Sequence, residues 1–174
     1  MIDISTSSLV YFAWSIFIWL LDSLLNFVLA KKMGDTANPL IYFIPFYGYY
    51  HFGVFIGIHP IVIIPALISG VAAPLLILNP IGDFITLIAK LGNAIVVYFT
   101  AKRLKKAQWL YSVISFCLGL VSIPLQLLIV LVGFNADSYL LIFILLLLLS
   151  TVGQIPKIVL AIHSAESSKL VQHK

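Results

Sequence analysis

The chain has 174 residues, of which 62% are hydrophobic and 9% charged, with a formal net charge of +4. Soluble domains carry about a quarter charged residues, so this composition excludes an ordinary water-soluble domain and points to an integral membrane protein. The mean hydropathy of +1.14 agrees, and no stretch is long and polar enough to form a separate soluble domain.

A helix that crosses the hydrocarbon core needs about 20 apolar residues. In chain order, the first such span is expected at Ser8–Ala30, closed by Lys31 and Lys32, with a turn at Gly34–Asp35. An aromatic segment, Pro39–Ile58, follows. Three more spans are expected at Pro60–Leu78, Ile81–Thr100 and Tyr111–Phe134, and the last at Tyr139–His163. Pro65 and Pro74 lie inside the second of these. Trp109 and Tyr111 form an interface belt after the basic run Lys102–Lys106. The fold class is all-α, a polytopic bundle in a single membrane domain, because barrel strands would alternate and these runs are continuous.

Positive residues mark the cytoplasmic side. Lys31, Lys32, Lys102, Arg103, Lys105 and Lys106 are assigned to orientation and contact with anionic lipid, not to nucleic acid. Both basic clusters then face inward, so the chain crosses an even number of times between them. Three apolar segments lie there. Pro39–Ile58 is the one expected to stay in the interface or re-enter, since its aromatics suit the headgroup level and Pro45 and Gly48 interrupt a straight helix. The expected layout is five spans, with the N-terminus outside and the C-terminus inside. Ala66 with Gly70, and Ser69 with Ala73, are spaced for close helix approach.

Polar residues inside apolar spans are costly and need partners, water or another subunit. Asp83, Thr86, Lys90 and Asn93 share one face of their span, Asp83 and Lys90 differing by about 20° around the helix. Ser15, Trp19, Asp22 and Asn26 form a weaker stripe on the first span. Depth measured from the cytoplasmic lysines places Asp22 and Lys90 within roughly 6 Å. The expectation is that these two approach, with Asp83 nearer the outer surface. Two readings of Asp22, Asn26, Asp83, Thr86, Lys90 and Asn93 stay open: a structural lock between helices, or a path for a substrate or partner.

Lys157 reads as a lysine snorkelling to the interface, and Gln154 as a helix-contact residue. His51 and His59 lack metal-site spacing, and His163 and His173 read as solvated. Cys117, the single cysteine, reads as a small packing residue. No phosphate loop, HExxH or GxSxG occurs. No catalytic residue, cofactor or metal is expected.

Phe43-Ile44-Pro45-Phe46-Tyr47-Gly48-Tyr49-Tyr50 resembles an "IP-aromatic-x-N-x-Y" element, and Val132-Gly133-Phe134-Asn135-Ala136-Asp137-Ser138-Tyr139 an "LGFGDxxY" ending. Asn79-Pro80-Ile81-Gly82 is similar to a second "IPxxN" element, and Ala101-Lys102-Arg103-Leu104 to an "AKxFGK" run. Together they resemble a family of small prokaryotic multi-pass membrane proteins without an established activity, some labelled signal peptidase I. Gly48 and Gly82 stand where that pattern has asparagine, and Leu104-Lys105 where it has Phe-Gly. The resemblance implies a prokaryotic cytoplasmic-membrane protein. It does not imply peptidase activity, which would need a sizeable extracytoplasmic domain with serine and lysine.

The function expected from the sequence is a non-enzymatic subunit or scaffold of a larger membrane assembly, partnered by lipid and by other subunits or itself. The alternative is a small transporter or channel using the polar stripe. An intramembrane enzyme ranks third.

Overall fold

A computed structural model describes residues 4–72, 80–133 and 139–172, and the regular structure among them is entirely helical. The elements are α1 (Ile4–Lys32), a 3-10 helix (Pro39–Phe43), α2 (Tyr47–Ile56), α3 (Pro60–Ala72), α4 (Pro80–Arg103), α5 (Gln108–Gly133) and α6 (Tyr139–Gln172). Among these residues, Ile85–Arg103 is a stretch long and apolar enough to cross a membrane.

Local chemistry sets the helix ends. Pro39, Pro60 and Pro80 each open a helix, where the missing N–H removes a donor that would lack an intrahelical acceptor. Asn38 caps the 3-10 helix by accepting from Leu40 N–H at 3.0 Å. α1 and α4 finish alike. Asp35 N–H reaches back to Ala30 C=O at 2.9 Å, and Lys106 N–H to Ala101 C=O at 2.8 Å. Each such cap needs a left-handed residue just before the donor. In α1 it is Gly34, at φ +88°; in α4 it is Lys105, at φ +54°. A side chain there costs about 1 kcal/mol that glycine would not incur. Lys105 stands where the resembling pattern has glycine.

The aromatic segment breaks between its two short helices. Phe46 sits at φ 64°, ψ −47°, and Tyr47 N–H bonds Pro45 C=O at 2.7 Å, forming a γ-turn of the rare, strained positive-φ kind. Gly48 was expected to interrupt the helix along with Pro45, but it lies within α2. Its role is close approach: a Cβ there would stand 2.2 Å from the Tyr42 carbonyl oxygen.

Contacts between named residues give the helix directions. Asn93 and Ala94 of α4 meet Ser115 and Ser112 of α5, and Lys90 packs beside Gly119, so α4 and α5 run antiparallel. Ala66 of α3 packs against Gly92 of α4, using one of the small residues expected to allow close approach. Asp22 and Lys32 of α1 meet Lys157 and Ala161 of α6, so α1 and α6 run the same way. The C-terminal ends of α1, α2 and α4 therefore share one rim with the start of α5 and residues 161–164 of α6.

The apolar core concentrates at that rim. Leu29, Tyr42, Phe52, Ile63, Val97 and Leu160 are its largest buried members. Phe27 packs on Tyr42, and Tyr42 on Phe52, with ring centroids 5.9 and 6.5 Å apart. Cys117 departs from its expected packing role, because it faces outward from α5. The stretch between the last two expected spans, residues 135–138, lies outside the described residues.

Gly48→Ala drives a methyl into the Tyr42 backbone, which cannot yield as a flexible side chain would. The expected loss is about 1–3 kcal/mol, read as a lower thermal-unfolding midpoint in detergent. An unchanged midpoint contradicts the close approach.

Candidate functional site: a buried lysine–aspartate pair

Asp22 and Asn26 are one turn apart on α1 and so share a face. That face meets Lys157 of α6. Lys157 Nζ donates to Asp22 Oδ1 at 2.5 Å and to Asn26 Oδ1 at 3.3 Å. Asn26 Nδ2 donates to Asp22 Oδ2 at 3.0 Å. The carboxylate thus accepts from two residues, and the amide joins both charges. The Tyr49 ring lies 6.0 Å from the ammonium, placing an aromatic face from α2 over the same group. Lys157 is 0% exposed and Asn26 2%.

The local sequence of α6 favours this placement. Pro156 precedes Lys157 inside the helix and removes one backbone hydrogen bond. Gln154, one turn before Lys157, carries a buried Oε1 that has no hydrogen-bond partner among the described residues.

Two expectations are corrected here. Asp22 approaches Lys157, not Lys90. Lys157 does not snorkel, but is the most deeply buried charge described. Depth matching alone could not choose between the two lysines. Lys157 stands near the end of its expected span but well inside α6, which runs on to Gln172.

In the α4 stripe, Lys90 and Asn93 face α5. Asn93 Nδ2 donates to Ser115 Oγ at 3.3 Å. The Lys90 stem lies against Gly119, where an added Cβ would stand 3.2 Å from it. The absent side chain of Gly119 is what admits the lysine. Thr86 is half-buried on the same helix. Asp83 belongs to α4, but its side chain lies outside the described residues. The structure therefore yields two polar contacts, α1–α6 and α4–α5, in place of the single Asp22–Lys90 contact expected. The ion pairs among the described residues are Lys157–Asp22 and His51–Asp35.

The second pair was missed in the sequence, where His51 looked isolated. Asp35 accepts from the Tyr42 hydroxyl and from Ala37 N–H at 3.1 Å, and His51 Nε2 lies 3.3 Å away. Burial pushes the Asp35 carboxyl upward, but hydrogen bonds from Tyr42, Ala37 and His51, with the histidine charge, hold it below its ordinary value. Burial first, and then Asp35, push the Tyr42 hydroxyl upward. An Asp-x-Ala turn seven residues before a tyrosine carries too little signal to predict this cluster.

The basic residues assigned to lipid contact lie at the rim. Lys31 Nζ donates to Asp35 C=O at 3.1 Å and Ala37 C=O at 2.9 Å. Lys32 donates to Ala161 C=O. Lys102 stands 5.8 Å from the Phe99 ring. Arg103 donates to Phe55 C=O and lies 4.2 Å from the Phe55 ring. Lys105 and Lys106 line a cavity beside them. Among the described residues, no three His, Cys, Asp or Glu side chains converge as metal ligands would.

No family model, curated protein or solved structure matches this chain. What the site can do follows from its geometry. The Lys157 ammonium spends its N–H groups on a carboxylate and an amide of the neighbouring helix. The arrangement is suited to joining two helices.

Lys157→Met strands the Asp22 carboxylate and is expected to cost about 3–5 kcal/mol. Lys90→Met replaces one flexible stem with another of similar volume and should cost less than about 1.5 kcal/mol. Thermal unfolding of the two variants in one detergent checks this. Equal losses, or a greater loss for Lys90→Met, contradict the pairing.

Proposed function

We infer that this chain is a multi-pass membrane protein whose role is that of a non-enzymatic subunit or scaffold. One observation carries the reading: the distribution of polarity is inside-out. Ile61 is 72% and Trp109 70% exposed, while Lys157 and Asn26 are sealed inside. Ile16, Phe17, Leu20 and Leu24 line the outside of α1, and Val113, Ile114 and Val121 that of α5. Water would penalise so much apolar surface, whereas lipid solvates it.

The helix directions support five spans. α1, α4 and α6 run toward the basic rim, and α3 and α5 run away from it. α2 has 10 residues, about 15 Å of helix, half the hydrocarbon thickness. It stays at the rim, which is cytoplasmic by its lysines and arginine. The scaffold role is supported by the internal satisfaction of Asp22, Asn26 and Lys157, which leaves no reactive group displayed at that site.

A second reading, a small transporter or channel, is favoured by the Gln154 oxygen, which is unpaired among the described residues, beside Pro156 and Lys157. Breaks in membrane helices often lie beside binding sites.

Purification from native membranes in mild detergent, followed by mass spectrometry, tests the proposal. The chain is expected to migrate with other membrane subunits or as an oligomer. A lone monomer that supports solute flux in proteoliposomes, lost on Lys90 or Asp83 substitution, overturns the scaffold in favour of transport. In the same preparation, cysteines introduced at Ala107 and Ala136 should react with an impermeant maleimide from opposite sides. Reaction from one side contradicts the five-span layout.

A further inference from the structure

The rim holds a cavity of about 380 Å³ lined by Lys32, Met33, Arg103, Leu104, Lys105, Lys106 and Ser164. Three elements far apart in sequence build it: the end of α1, the cap of α4 and one turn of α6. Its volume falls in the usual range for small-molecule sites, about 300–1,000 Å³. Among the described residues, four of those lining it are cations and none is acidic. The described carboxylates are engaged elsewhere, Asp22 by Lys157 and Asp35 by Tyr42 and His51.

The four cations are not equivalent. Lys32 is tied to Ala161 C=O, and Arg103 to Phe55 C=O and the Phe55 ring. These bonds fix their stems while leaving donors: a guanidinium has five and an ammonium three. Lys105 and Lys106 complete the lining. The exposed ends of α1 and α4 favour nearby cations, which accounts for one or two basic residues at each end. It does not account for convergence on one concavity. Nor does it account for Lys105, which occupies the left-handed cap at φ +54°, where glycine would be unstrained. Backbone strain held at a charged cavity points to a use for that side chain.

We propose that this cavity binds a phosphate group, carried by the headgroup of an anionic phospholipid. The proposal rests on the membrane reading for its source of phosphate. Paired N–H donors of Arg103 match two phosphate oxygens, and lysine ammoniums act as point charges on the others. Met33 and Leu104 supply the apolar wall that a glycerol backbone would follow. The rim lies where lipid headgroups lie in the five-span layout.

The test uses the full chain in uncharged detergent, titrated separately with dihexanoyl phosphatidylglycerol, dihexanoyl phosphatidylcholine and inorganic phosphate, with the thermal midpoint as readout. A ligand that binds the folded chain raises the midpoint and saturates. Phosphatidylglycerol should do so and phosphatidylcholine should not. Lys106→Gln should raise the half-saturating concentration about tenfold, as expected for one lost charge-assisted contact. Lys105→Gly should weaken binding similarly while keeping or raising the midpoint without ligand, which separates binding from folding.

Inorganic phosphate that saturates and competes with the lipid supports the proposal. If it binds as tightly as the lipid, the occupant is a soluble phosphate at the same site. Equal effects of the two lipids, stabilisation that never saturates, or unaltered binding by Lys105→Gly and Lys106→Gln overturn the proposal. Carbonate extraction of native membranes tests the membrane reading separately. A chain released by carbonate that still binds phosphate loses the lipid source and keeps the site.

Discussion

A fully buried ammonium on the last helix and a carboxylate on the first, 20% exposed, are the constraint on which the arrangement depends. Each charge alone would be expelled from an apolar interior. Together, with Asn26 bridging them, they are tolerated only when α1 and α6 adjoin at one depth and in one rotation. That register carries others with it. Once Lys157 faces Asp22, Ala161 reaches Lys32 a turn further on, and His163 comes within 3.2 Å of the Tyr111 hydroxyl at the start of α5. The chain closes on itself through a polar contact, while α3, α4 and α5 pack mainly through small residues and single hydrogen bonds.

In the membrane setting we propose, this division follows from the solvent. Where lipid surrounds helices, burying leucine gains little, and close packing at Gly92–Ala66 and Gly119–Lys90 does more. Where the rim meets water, the hydrophobic effect returns. The aromatic and aliphatic core around Tyr42, Phe52 and Leu29 gathers there. α2 and the 3-10 helix act as a lid on that end, held by the Asp35 cluster on one side and Arg103 on the other.

Much of this was legible in the sequence. Pro39 and Pro60 opened two of the expected segments, lysines marked two helix ends, and Lys90 and Asn93, two of the four residues read as a stripe, both lie against α5. Depth along the helix was the coordinate used for Asp22, and depth is one coordinate of three. It cannot tell which helix is the neighbour, so the choice of Lys90 over Lys157 rested on sequence position rather than on packing. The α4 stripe needed α5 to explain it, and Ser112, Ser115 and Gly119 are too ordinary in a membrane span to announce themselves. Phe46 and Lys105 were illegible for a different reason. Both occupy left-handed conformations for which glycine or asparagine is the usual signal, and only tertiary structure holds them there.

The basic rim, the inward polar contacts and the outward apolar faces are consistent with the proposed small helical bundle in lipid, locked by the Lys157–Asp22 pair. The most direct test exchanges the two charges. Asp22→Lys and Lys157→Asp are made singly and together, and unfolding midpoints are compared in a double-mutant cycle. The account predicts that each single variant is strongly destabilised and that the double exchange recovers much of the loss. Losses that simply add would mean that Asp22 and Lys157 do not sense each other, and the lock between α1 and α6 would be refuted.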